Sequence, residues 1–351
     1  VTATAGRVAL PRVRAPYPLV LVLLGALLLG TATAAIAVGS VGIPPDQVWG
    51  ILLHRLHLAP AADWTPARET IVLDVRLPRV LLCGVVGAGL SVCGMALQAI
   101  VRNPLADPML LGVSSGASVG AVLVVVFHVS WFGMFSLPLA AFGGALLALV
   151  LVYALARSGG RMTTVRLVLA GVATAEVLSA VASYLVITSD DPHGAESALR
   201  WMLGGLGGTT WAVLWIPAAA VLAGTAVLLG LSRPLNLLLA GEEAATALGM
   251  DVHRFRAALF VLVALMTGTI VAVSGAIGFV GLIMPHAVRL LVGADHRRAL
   301  PVVALLGASF LTAADLAART LISPEEIPVG ILTALVGGPV FLYLMRRKAA
   351  R

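Results

Sequence analysis

SRPLNLLLAGEEAATALGMDVHRF, residues 232–255, separates two strongly apolar runs and is the one long interruption that carries both charge and helical periodicity. Leu237, Leu238, Leu239, Ala244, Ala245 and Leu248 supply an apolar side, and Glu242, Glu243, Asp251, Arg254 and Arg256 a wet one. Arg233-Pro234 opens the stretch and Gly249 closes it, which predicts two short helices with a bend near Gly241. In so hydrophobic a chain, a piece of this kind reads as a surface that receives force from a soluble partner. An amphipathic hairpin lying on a membrane surface is the competing reading.

The flanks of this loop set the class. Hydrophobic residues make up 60% of the 351, charged residues only 11%, whereas soluble domains carry about 25% charged residues. The chain is therefore expected to be an all-α polytopic membrane protein, and no polar block is long enough to form a separate soluble domain. The net charge of +7 comes from short basic clusters between apolar runs, with few aromatic residues. That pattern marks topology signals and excludes a nucleic-acid groove. Cys83 and Cys93 share one apolar run without further ligands nearby and read as packing residues.

Apolar runs predict ten transmembrane helices, at about 17–39, 80–101, 109–127, 132–156, 165–188, 211–231, 257–274, 277–292, 300–318 and 329–345. The first follows Arg7, Arg12 and Arg14; a signal peptide competes there, but the run is long enough to span a bilayer. Between the first two runs, IPPDQVWGILLHRLHLA (43–59) resembles a short interfacial helix. Pro285 is expected to open the eighth span by removing an amide donor. With the N-terminus in the cytoplasm, all of the 23 Lys and Arg residues fall on the inner side except Arg55, Arg68, Arg76, Arg79, Arg200 and Arg319. The positive-inside rule then places both termini and the 233–253 loop in the cytoplasm.

Candidate chemistry is sparse. No G-x-x-x-x-G-K-[ST] sequence occurs, so the chain lacks a P-loop, and no His/Cys cluster with metal-ligand spacing is present; His286 stands alone. Only Glu176 and Asp315 place acids within the spans, where an ion-coupled transporter needs carboxylates. Asp315 has Arg319 one turn on, an i,i+4 ion pair; Glu176 has no evident partner and could line a wet cavity. Gly112, Gly116 and Gly120 recur every four positions, with Ser114 and Ser115 between, and Gly171, Thr174, Ser179 and Ser183 mark a second face. Small-residue stripes of this kind serve close helix packing or a moving gate.

Several stretches resemble one family: RLPR (76–79), ALQAIVRNPLADPMLLGVSSGASVGA (96–121), WMLGGLGG (201–208), the 232–249 segment, GAIGFVGLIMPHAVRLLVGADHR (275–297) and EIPVGILTALVGGPVFLYLM (326–345). From about residue 70 onward the chain is similar to the FecCD group, the permease subunits of type II ABC importers that carry iron-siderophores, haem and vitamin B12. The resemblance implies the ten-helix permease fold of that group as a single transmembrane domain over 1–351. It implies a second permease copy or close paralogue, two cytoplasmic ATP-binding subunits holding ATP-Mg, and an extracytoplasmic binding protein, all in the cytoplasmic membrane. The permease itself would be no enzyme and would bind no cofactor.

The resemblance makes Glu243-Ala244-Ala245 with Gly249 the ATPase-coupling segment; in that segment Leu238, Leu239 and Leu248 are expected as apolar anchors, with Glu242 and Glu243 at the rim pairing with basic residues of the partner. Asp251-Val252-His253-Arg254 stands where other importers carry an I-x-L-P tail. Arg76, Arg79 and Arg319 become outward docking points for the binding protein; anchoring of helix ends at headgroups is the plain alternative. The 112–120 and 171–183 faces become candidates for the pathway lining. An iron-siderophore is the expected cargo, with haem and cobalamin next, and an ion-coupled secondary transporter is the rival of a different class.

Overall fold

The computed structural model describes residues 16–60, 63–158, 161–162, 164–322 and 325–349. The N-terminal Arg7, Arg12 and Arg14 and the terminal Arg351 lie outside them. Helices dominate: α1 (Tyr17–Ala37), α2 (Pro45–Arg55), α3 (Pro66–Thr70), α4 (Leu77–Val101), α5 (Val113–Val126), α6 (Ser136–Ala156), α7 (Thr164–Ile187) and α8 (Pro192–Met202). The second half holds α9 (Trp211–Gly230), α10 (Ser232–Ala240), α11 (Glu242–Ala247), α12 (Val252–Ser274), α13 (Val280–Val292), α14 (His296–Thr320) and α15 (Val329–Ala349). Two-residue strands, β1 (Arg157–Ser158) and β2 (Arg161–Met162), pair antiparallel between α6 and α7.

Among the described residues seven helices are long and apolar enough to cross a membrane. Three shorter apolar ones, Val113–Val126, Val280–Val292 and Val329–Tyr343, fill the remaining expected places. The interfacial piece appears as α2. Between the fifth and sixth expected spans lies α8, whose N-terminus is capped by Asp191 accepting from the His193 and Gly194 amides at 3.0 and 2.9 Å.

Burial sorts the helices into a centre and a rim. In the continuous helical stretch Pro66–Val101, 78% of the most apolar window is buried, and α12 and α14 follow at 61% and 56%. The windows of α1, α6, α7 and α9 are only 22–33% buried. Thus α4 is the axis, packed by α14, α12, α13 and α9, while α5, α6 and α7 form a flanking group joined through α12. Lipid is as apolar as leucine, so close approach of small residues rather than hydrophobicity holds such helices together. A Cβ on Gly116 or Gly120 would collide with the Gly144 or Ala140 carbonyl of α6, and one on Gly94 with the Gly281 carbonyl of α13.

The two prolines near α4 and in α13 are accommodated differently. Ahead of Pro78, which has no amide to donate, Ile71–Arg76 forms a π-helical segment in which the Leu77 amide bonds to the Val72 carbonyl. Pro285 was expected to break its helix; α13 instead runs through it to Val292. The carbonyl that Pro285 leaves without its usual i,i+4 donor is Gly281, and Gln98 Nε2 of α4 donates to it at 3.3 Å.

Candidate functional site

The 232–251 loop forms the expected two helices, α10 and α11, meeting at Gly241 with φ +130°. Gly249 ends α11 at φ +82°, a backbone region that a β-branched residue resists. Asp251 then starts α12, its carboxylate accepting from the Arg254 amide at 3.1 Å. The eight expected coupling residues divide into a base and an outer face. Leu238 and Ala245 are fully buried against the bundle. Leu239 (42% exposed), Leu248 (70%), Glu243, Ala244 and Gly249 face outward. Leu238 and Ala245 therefore anchor the loop to its own chain and offer nothing to a partner. Glu242, expected at a partner's rim, pairs with Arg256 of α12 at 3.0 Å.

A second tie comes from Asn236 on α10. Its Nδ2 donates to Asp295 Oδ1 at 2.7 Å, and its Oδ1 accepts from the His296 amide at 3.0 Å and the ring Nδ1 at 2.7 Å. This amide bond, with burial of Asp295 opposing it, holds the Asp295 carboxyl below its ordinary range. The loop is thus fastened to α12 and α14 as well as continuing α9.

At the opposite end, Arg76, Arg79 and Arg319 do not present free charge, and the expectation that they do needs correction. Arg76 is only 6% exposed and donates to the carbonyls of Ile36 (2.6 Å), Ala37 (3.2 Å) and Val41 (2.6 Å) at the end of α1. Arg79 grips Asp315 with Nε and Nη2, the shortest contact being 2.9 Å, and reaches Glu326 at 2.9 Å. Arg319 pairs with Asp315 at 3.0 Å, as the i,i+4 spacing implied, and donates to the Ala35 carbonyl at 2.9 Å. The reason is electrostatic: helix-end carbonyls and one enclosed carboxylate are better partners for guanidinium groups than the surface is. Only Glu326, half exposed, offers a partner that another molecule could exchange.

The pathway candidates also separate. Gly112, Ser114, Gly116 and Gly120 are buried in helix contacts, with Ser114 donating to the Met109 sulfur at 2.9 Å. They hold α5 to α6 and α7 and do not line an open face; Ser115 is half-buried. On α7, Gly171 and Thr174 are enclosed against the start of α5, Ser179 is half-buried and Ser183 exposed. Glu176 is exposed on the open side of α7 together with Val172, Val177 and Tyr184.

Among the described residues the bundle thus has seven apolar helices long enough to span a membrane and three shorter ones, with a fastened, charge-bearing loop between α9 and α12. The FecCD transport family matches residues 11–347. The chain belongs to that family. It is 46% identical over 321 residues to a cobalamin import system permease of Halobacterium salinarum, covering 91% of this chain and 84% of that one. It is 44% identical over 283 residues to the hemin transport system permease of Yersinia pestis, covering 79% and 84%. A solved structure described as an inward-facing conformation of a metal-chelate type ABC transporter superposes with a TM-score of 0.82 at 34% identity, over 94% of this chain and all of the other. The FecCD chain is therefore a multi-pass permease subunit of a type II ABC importer in the cell membrane, of the cobalamin, haem and siderophore class, and not itself an enzyme.

Three features of this FecCD permease escaped the sequence reading. Asn236 was visible only as the single amide in an otherwise leucine-rich turn. Gln98 stitches α4 to Gly281 and to the Ala106 carbonyl (3.2 Å), and a lone polar residue in an apolar run was its only signal. Asp107 is buried in the turn after α4 and accepts from the Met109 amide at 2.9 Å. Burial raises its carboxyl to about 6, against the opposing pull of the Met109 and Phe279 amides.

Proposed function

We propose that two copies of this permease, or one with a close paralogue, pass a metal-tetrapyrrole across the cell membrane, cobalamin foremost. Two cytoplasmic subunits that hydrolyse ATP-Mg would drive it through the 233–253 loop, and an extracytoplasmic binding protein would deliver the cargo. The observation that carries the coupling role is the loop's division of labour. A base of Leu238, Ala245, Asn236 and Glu242 is fixed to the bundle, and Leu239, Ala244 and Leu248 stand outward as an apolar edge. Fixed at its base, such an edge converts a rigid-body displacement into helix motion. The excess of basic residues on the loop's side supports placing it in the cytoplasm.

A paired arrangement is supported by Glu176. A carboxylate facing lipid costs several kcal/mol, and a wet pathway between two copies, bordered by Ser179 and Ser183, removes that cost. At the outer end, a carboxylate of the binding protein would take the place of Glu326 on Arg79.

The cargo reading departs from the iron-siderophore expected above. It rests on the cobalamin and hemin permeases at 46% and 44% identity. Haem is the second reading, and an iron-siderophore the third.

The test is reconstitution of the permease with its ATPase and binding protein, measuring ATP-dependent uptake of cobalamin, haem and a ferric siderophore. In the same vesicles, Ala244→Arg should abolish ATPase co-purification, and Gly249→Val should uncouple hydrolysis from uptake. Normal uptake in both variants would remove the loop from this role, and uptake of the siderophore alone would reverse the cargo assignment. Ala245 is unsuited to the experiment, because a buried arginine there would unseat the loop itself.

A further inference from the structure

The loop-bearing end of the bundle encloses a cavity of about 260 Å³ that none of the roles above uses. It lies between the end of α4, the turn that follows, α10, the last turn of α13 and the start of α14. Its polar lining is Gln98, Arg102, Arg289 and His296, with Met95 and Leu239 in the apolar wall, and among the described residues no acid lines it. Arg289 is half-buried, and its Nη2 is enclosed without a hydrogen-bond partner among the described residues. Gln98 Oε1 is likewise enclosed and unpartnered among them.

The neighbouring carboxylate, Asp295, is not part of the lining, and among the described residues it makes no ion pair with Arg289 or Arg102. Asp295 Oδ1 is taken by Asn236 Nδ2 at 2.7 Å and by the Arg297 amide at 3.1 Å. Because Asn236 Nδ2 faces Asp295, its Oδ1 is an acceptor only, so the His296 ring donates through Nδ1 and its Nε2, in the neutral ring, is an acceptor that adds no donor to the cavity. Arg102, exposed, sits at the end of α4 with φ +53°, in the left-handed region that a non-glycine residue enters at a cost.

A guanidinium removed from water without an anion is costly. The carbonyl end of α13 offsets part of that cost through the helix dipole, yet leaves a donor on Nη2 unused. Two guanidinium groups at one cavity that no acid lines among the described residues match a planar or tetrahedral oxyanion, which arginine forks hold bidentately. The volume falls below the roughly 300 Å³ at which drug-sized pockets begin, so the occupant is an ion or a headgroup and not the transported chelate.

We propose that this cavity is a binding site for a phosphate-type oxyanion, with Arg289 as its principal ligand and Arg102 as the second. Free inorganic phosphate and the phosphate of an anionic lipid headgroup share that chemistry, and the site's place at the end of the spans is open to both. Leu239 of α10 forms part of the wall, so occupancy would add a tie between the loop and the bundle.

The experiment uses the intact permease without its ATPase, in nanodiscs of phosphatidylcholine alone or with phosphatidylglycerol. Thermal unfolding is followed across a phosphate titration, with chloride at matched ionic strength as reference, for the parent, Arg289→Gln, Arg289→Lys and Arg102→Gln. Phosphate stabilises proteins nonspecifically, so the readout is the difference between parent and variant. A parent-specific rise with phosphate in neutral lipid identifies the free ion; a rise only with phosphatidylglycerol identifies the headgroup. In either case Arg289→Gln should weaken the response at least about tenfold, equivalent to one 1.4 kcal/mol step, and Arg102→Gln less. Without any anion, Arg289→Gln should unfold at or above the parent's temperature, since an uncompensated charge has been removed. A marked drop there, with Arg289→Lys restoring the parent value, would mean an internal partner and would overturn the proposal. It also fails if neither anion separates parent from Arg289→Gln. A separate co-purification of the same variants with the ATPase gives the last outcome: if Arg289→Gln loses ATPase binding while its phosphate response equals the parent's, the cation belongs to a protein carboxylate and the proposal fails.

Discussion

Asp315 is 1% exposed and holds two guanidinium groups, those of Arg79 and Arg319, at 2.9 and 3.0 Å. Removing one member of a buried ion pair leaves the others unneutralised and costs about 3–5 kcal/mol. Asp315→Asn should therefore lower the unfolding midpoint in detergent sharply, whatever the cargo. A near-parental midpoint would show that the arginines find other acceptors. Reversal of Arg76 or Arg319, an attractive way to probe docking if they were exposed, would mainly report this loss of packing. Asp107 makes a prediction of the opposite sign. Its carboxyl is raised from 3.8 to about 6 by burial, so its protonated form favours the folded state. That contribution is complete below pH 3.8 and is lost as pH rises through about 6. Asp107→Asn keeps an acceptor for the Met109 amide without the charge. Its stability relative to the parent should grow between pH 4 and pH 7 by on the order of 2–3 kcal/mol, from a shift of about two units. A gap that stays constant with pH would contradict the assignment.

The pair α5–α6 shows how a helix contact can depend on the absence of side chains. Gly116 and Gly120 lie on α5 one turn apart and meet the Gly144 and Ala140 carbonyls. Adding methyl groups to a filled contact costs about 1–3 kcal/mol, more where backbone must shift. Gly120→Val should accordingly reduce folded yield and thermal stability, and its effect should exceed that of Gly143→Val. Gly143 is on the same two-helix unit, but a Cβ there would meet nothing within 4 Å. Equal effects at both positions would point to valine's helix propensity instead of the contact. The coupling loop obeys the same principle in reverse: α10 and α11 are too short to be stable alone, and Leu235, Leu238 and the Asn236 ties hold the first in place, buried Ala245 and the Glu242–Arg256 pair the second.

Across the molecule, the spans hold two carboxylates, and one of them is already neutralised by arginines, which supplies ion coupling poorly. Asp315 is locked between arginines, and Glu176 is exposed on α7. Uptake should persist when proton and sodium gradients are collapsed at constant ATP, and Glu176→Gln should retain it. Arrest by an ionophore at fixed ATP would instead favour a secondary transporter.

The span count, the existence of the loop helices and the Gly241 bend were legible in the sequence, because hydropathy and glycine act locally, through solvent transfer and φ. The same holds for the Asp315–Arg319 pair, four residues apart on one helix. Which way each polar side chain turns was not legible. Arg79 finds Asp315 across 236 residues and Gln98 finds Gly281 across 183, contacts with no periodic signature. Whether a serine-glycine face lines a passage or seals two helices depends on what lies opposite it. So does the difference between a leucine that anchors the loop and one that meets a partner. Hydropathy determines that a segment leaves water; the three-dimensional neighbours alone determine which charges, once removed from it, still need a partner.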